Sequence, residues 1–154
     1  MIGPDVATLV GLDERSLEAD WLLHDHDGRI EASPENIAAA AAFAFERWRE
    51  RAAELGHDEP RDLAGACKFC ALFAKALFGG AVDGNYDHVF VRVDGVIIDL
   101  SAASADVATL DNPYGTDVDH LVNEDLTYSF GTCARRVRAW VAAYPMSAHA
   151  LPAP

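Results

Sequence analysis

Three side chains in the middle of the chain have the types and spacing for nucleophilic chemistry. Cys67 follows Gly65-Ala66 at the start of an apolar run. His88 precedes Val89-Phe90-Val91, and Asp99 follows Val96-Ile97-Ile98. Twenty-one residues separate Cys67 from His88, and eleven separate His88 from Asp99. A thiol at the mouth of a helix meets unpaired backbone N–H groups and the positive end of the helix dipole, which favour a thiolate. The same N–H groups stabilise an oxyanion on a bound carbonyl. A histidine oriented by a carboxylate supplies the other two parts of a nucleophilic triad. Cys70 lies one turn deeper, where the dipole fades and burial raises a thiol's pKa, so it reads as core.

A hairpin must bring His88 and Asp99 together. Asp94-Gly95 supplies two residues that tolerate positive φ, the requirement of a two-residue type I′ turn. That turn pairs Val93 with Val96, Arg92 with Ile97, Phe90 with Asp99 and His88 with Ser101. Alternation then puts Val89, Val91, Val93, Val96, Ile98 and Leu100 on one face. His88, Phe90, Arg92, Ile97, Asp99 and Ser101 share the other, where diagonal neighbours lie roughly 7–8 Å apart at the backbone and within side-chain reach. Asn85 and Tyr86, just before His88, are the candidate substrate-binding residues. Phe90 and Arg92 either contact substrate or pack beneath residues 102–125.

Helices flank this hairpin. Ser33-Pro34-Glu35 is a capped helix start, and the helix runs to Leu55 with Gly56 as its stop. Ile37, Ala41 and Trp48 form its inner stripe, with Arg47, Arg49, Glu50 and Arg51 as a solvated face. A second helix spans about Ala66 to Phe78, ended by Gly79-Gly80. After Ser101 comes a long acidic segment with a turn at Asn112-Pro113-Tyr114-Gly115. Leu126 to Phe130 reads as a short strand and Thr132 as the cap of a last helix, Cys133 to Tyr144, with Val137, Trp140 and Val141 inward. Near the N-terminus, Val6 to Val10 forms a short helix or strand, Leu17 to Leu23 has helical spacing, and His24-Asp25-His26-Asp27-Gly28 is a polar turn rather than a metal site. The order is α+β: helices packed on a small antiparallel sheet, in one domain over residues 1–154 with its core at about 33–144.

The order of a helix-start Cys, a His on the next strand and an Asp at the end of the following one resembles the papain-like superfamily in its transglutaminase-like minimal form. The resemblance covers roughly residues 62–101. It implies that Cys67 attacks a carbonyl carbon, that His88 takes and returns the proton, and that Asp99 holds the imidazole. It implies a peptidase, amidase, deamidase, transglutaminase or acetyltransferase activity on protein or peptide-like substrates, with no cofactor. The chain departs from the papain pattern in having no glutamine at all. The oxyanion donor then falls to the Cys67 N–H with Asn85 or Tyr86, and Ala71 stands where several relatives have Ser.

Composition bounds the partners. The chain has 154 residues, 25 acidic and 12 basic, for a formal net charge of −13. That charge disfavours nucleic acid and anionic membrane surfaces, and it favours a cationic substrate. Three cysteines make no disulfide framework and point to a reducing compartment, the cytoplasm, with no signal peptide visible; signal-independent export stays open. A Cys-x-x-Cys redox motif lacks its preceding strand, and a zinc site lacks a second close ligand pair. The competing class is an acidic, non-catalytic binding module or inhibitor of a basic protein, which also explains the charge.

Overall fold

The computed structural model describes residues 19–145; the Val6–Val10 expectation and residues 17–18 lie outside them. In chain order the elements are α1 (Ala19–Leu23), β1 (His26–Asp27), α2 (Pro34–Glu54), α3 (Cys67–Phe78), β2 (Gly79–Gly84), β3 (Val89–Val93), β4 (Val96–Ile98), α4 (Ala105–Ala108), α5 (Val118–Leu121) and α6 (Glu124–Ala143). The four strands form one antiparallel sheet in the order β1-β2-β3-β4, so the architecture is α+β.

Helix α3 is the centre of the molecule. Every residue from Cys70 to Phe78 is buried, Lys75 included. Leu72, Phe73, Leu77 and Phe78 are each at most 2 % exposed, and each such side chain contributes roughly 1.5–3 kcal/mol of burial. The helix lies against β2 and β3 on one side and α6 on the other. Val82, Val89, Val91 and Ile98 form the sheet face of this core. An aromatic seam joins the three long helices: Phe43 of α2 stacks on Phe73 of α3, and Phe69 of α3 stacks on Trp140 of α6.

The hairpin has the expected turn. Asp94 and Gly95 both take positive φ, and Val93 pairs with Val96, Arg92 with Ile97 and Val91 with Ile98. The ladder ends there. The Phe90–Asp99 and His88–Ser101 rungs do not form, because Asp99 turns the chain through its own side chain, whose Oδ1 accepts from the Ser101 N–H at 3.0 Å.

Several expectations are corrected. Gly79-Gly80 does not simply end a helix; it opens strand β2, which fills the sheet between β1 and β3. Residues 126–130 are helix rather than strand, and α6 is capped by Asn123, whose side chain accepts from the Asp125 N–H at 2.8 Å, not by Thr132. The expected Ile37, Ala41 and Trp48 do pack, half-buried, against the core, beside a fully buried line of Ala40, Ala44 and Ala52. Arg51, expected in solvent, lies over the rings of Trp48 and Phe69 at 4.7 and 5.3 Å. The expected Ser33 cap is present, accepting from the Asn36 N–H at 3.1 Å.

His26-Asp27, expected as part of a turn, is a short strand held by Lys75. The Lys75 ammonium reaches His26 Nδ1 at 2.9 Å and the carbonyls of His24 and Gly80 at 2.8 and 2.5 Å. Burial pulls its pKa down to about 8, with Asp25 opposing. No helix among the described residues is long and apolar enough to cross a membrane.

Strand β2 requires its glycines. A Cβ on Gly80, at φ +77°, would stand 2.4 Å from the Arg92 carbonyl oxygen, whereas one on Gly95 would meet nothing within 4 Å. Gly80→Ala is therefore expected to lower stability by about 3 kcal/mol or more, and Gly95→Ala by only about 1 kcal/mol for its backbone conformation. Urea unfolding of the two variants checks the order, and equal losses would contradict it.

Candidate active site

The turn that delivers Cys67 is clasped from two directions. Asp62 accepts from the backbone N–H of Ala64 and of Ala105, each at 2.9 Å. Asp106 accepts from the Gly65 N–H at 2.9 Å. These carboxylates tie the entry to α3 to the start of α4, and Gly65 takes φ +81° to turn the chain into the helix. Ala66 caps α3 without a side-chain hydrogen bond, so no side chain occupies the first-turn N–H groups beside the sulfur. Cys67 is half-buried, whereas Cys70 and Cys133 are buried, and all three thiols are free.

His88 and Asp99 meet as the hairpin predicts. His88 Nε2 lies 2.7 Å from Asp99 Oδ2, with the two side chains 2 % and 3 % exposed. Asp99 is saturated with donors. Oδ1 accepts from both the N–H and the hydroxyl of Ser101, at 3.0 and 2.8 Å. Oδ2 also accepts from the Tyr114 hydroxyl at 2.9 Å. Tyr114 in turn stands edge-on to Phe90 at 5.1 Å. Of the two readings of Phe90, packing beneath residues 102–125 is the one seen.

The imidazole is bonded to Asp99 and lines one cleft with Cys67. Burial alone would lower its pKa; hydrogen bonds to Asp99 and Cys67, with their charges, outweigh that and raise it to about 9. Since Nε2 is committed to Asp99, Nδ1 is the ring nitrogen left for another partner, and Cys67 lines the same cleft as His88. For Asp99 burial works upward, and the hydrogen bond and charge of His88, with Ser101 and Tyr114, bring the carboxyl below its usual value.

Asn85 and Tyr86 stand where they were expected, with different tasks. The Asn85 carboxamide oxygen accepts from the N–H of Asp87 and His88, at 2.9 and 3.1 Å. Its NH₂ donates to the carbonyls of Pro113 and Gly115, at 3.3 and 2.8 Å. Both donors are spent, so the carboxamide positions His88 and the 113–115 turn and has no hydrogen left for an oxyanion. Tyr86 is exposed, lies 4.1 Å from the His120 ring, and lines a cleft of about 280 Å³ together with Cys67 and His88. Sequence reasoning missed Tyr114, Asp62 and Asp106. The turn signal around Tyr114 was visible, but nothing local ties it to Asp99. No cluster of His, Cys, Asp or Glu among the described residues is placed to hold a metal ion.

Comparison with protein-family models, curated proteins and solved structures finds no match for this chain.

The sign of the pH dependence follows from the shifts. A raised His88 pKa stabilises the fold fully below the unfolded value of about 6.5, and that contribution is lost as pH rises through about 9. The lowered Asp99 pKa stabilises above the unfolded carboxylate value and is lost in acid. By NMR the His88 ring is expected to titrate near pH 9, and Asp99→Asn to bring it down by at least about one unit. A ring titrating near 6.5 in both proteins would remove the coupling.

Proposed function

We propose that the chain is a thiol enzyme acting on amide or related acyl bonds through Cys67, His88 and Asp99, on a minimal papain-like, transglutaminase-like core. One observation carries the reading: a sealed imidazole bonded to Asp99 that shares a cleft with a half-open helix-mouth thiol.

In this reading the thiol proton rests on His88. The Cys67 sulfur forms a bond to the carbonyl carbon, and the carbonyl electron pair moves onto oxygen. The Cys67 N–H and its first-turn neighbours face that oxyanion. As the tetrahedral adduct collapses, the carbon–nitrogen bond breaks and His88 gives its proton to the departing amine, leaving a thioester. Water or a second amine then attacks the thioester, with His88 taking back a proton and the thiolate leaving. Asp99 stays ionised throughout and stabilises the imidazolium. Three free thiols suit a reducing compartment, and we place the protein in the cytoplasm on that ground.

Alkylation tests the reading. Near neutral pH, iodoacetamide is expected to modify Cys67 at least about ten-fold faster than free cysteine, with Cys70 and Cys133 spared, and His88→Ala should abolish the advantage. Equally slow reaction of all three thiols, located by mass spectrometry, would leave the acidic binding module as the better account.

A further inference from the structure

Cys67 stands where two clefts meet, and Lys68 and Ser129 line both with it. The smaller holds His88, His120, Asp87 and Asp125. The larger, about 460 Å³, runs the other way along α3 and α6 and is walled by Arg51, Lys68 and Arg136 with no carboxylate among its lining residues. In a chain with 25 acidic and 12 basic residues, three cations and no acid around one cleft reverse the composition of the molecule.

Two of these cations are available. Arg51 lies over Trp48 and Phe69, which fixes the guanidinium plane and leaves its N–H edge for an acceptor. Among the described residues no carboxylate pairs with Arg51 or Lys68. Arg136 pairs with Glu54 at 2.8 Å, an exposed residue outside the cleft lining.

Direction follows from the chemistry of the proposed thiol enzyme, on which this inference rests. The leaving amine must receive its proton from His88, so it departs through the smaller cleft. The acyl part therefore extends into the larger one. We propose that the acyl donor carries a carboxylate that lies among Arg51, Lys68 and Arg136, while the departing amine crosses His88 toward Asp87 and Asp125. The cationic preference read from net charge then applies only to the amine side.

Two activated esters test this: mono-4-nitrophenyl adipate and 4-nitrophenyl hexanoate, whose acyl chains are equal in length and differ by a terminal carboxylate. Each acylates a thiol by forming the sulfur–carbon bond and releasing 4-nitrophenolate, whose absorbance gives the rate. The adipate-to-hexanoate rate ratio is expected to exceed that of free cysteine by about ten-fold, and to fall roughly five-fold in Lys68→Met and, separately, in Arg51→Met. Arg135→Gln, an exposed cation outside both clefts, should leave the ratio at the wild-type value. A ratio equal to that of free cysteine and unchanged in every variant, with His88→Ala still slowing both esters, would overturn the carboxylate and leave the thiol enzyme standing. Acylation of Cys67 no faster than free cysteine and indifferent to His88→Ala would overturn both.

Discussion

The buried contact between His88 and Asp99 sets the terms for everything around it. An ionised carboxylate taken out of water costs several kcal/mol, recovered only when its lone pairs all find donors. Asp99 has four: the imidazole, the Tyr114 hydroxyl, and the N–H and hydroxyl of Ser101. The end of the hairpin, the turn at Ser101 and the segment that carries Tyr114 are therefore one device, and none of the three can be altered without stranding a charge. Asn85 closes the same device from below, since it holds His88 by its backbone and the 113–115 turn by its carbonyls.

The sulfur is positioned by different forces. Helix α3 is fixed by burial along nearly its whole length, and its first turn is fixed by Asp62 and Asp106, which reach the backbone on either side of the gap between that turn and α4. Cys67 is thus set by packing and clasps, and His88 by a hydrogen-bond network. The two supports share the segment after Ser101, which supplies both Tyr114 and Asp106.

Much of this was legible in local chemistry. Asp94-Gly95 between alternating valines and isoleucines specifies the hairpin and its register, and with it the meeting of His88 and Asp99. Gly65 before an apolar run specifies the mouth of α3. What stayed hidden had a non-local cause. Gly79 and Gly80 read as breakers, because a glycine's tolerance for a neighbouring backbone is invisible until that neighbour is in place; in the fold each would-be Cβ meets another strand's carbonyl oxygen at 2.3–2.4 Å. The start of α6 was masked by Gly131 and the Ser/Thr residues around it, although Leu126, Phe130, Val137 and Val141 keep one helical stripe across the break. The tie between Tyr114 and Asp99 spans fifteen residues of irregular chain, and no periodicity encodes it.

Helix α3 passes into β2 without a connecting loop, Phe78 ending one and Gly79 beginning the other. Helical phase and strand parity are therefore geared together. A single residue inserted at that joint would exchange the two sides of β2, sending Val82 outward and Asp83 toward the apolar interior. A single deletion would do the same. The exposed polar stretch after α2 carries no such gearing and would absorb an insertion, whereas the run from the nucleophile's helix into the sheet would admit substitution but no change of count.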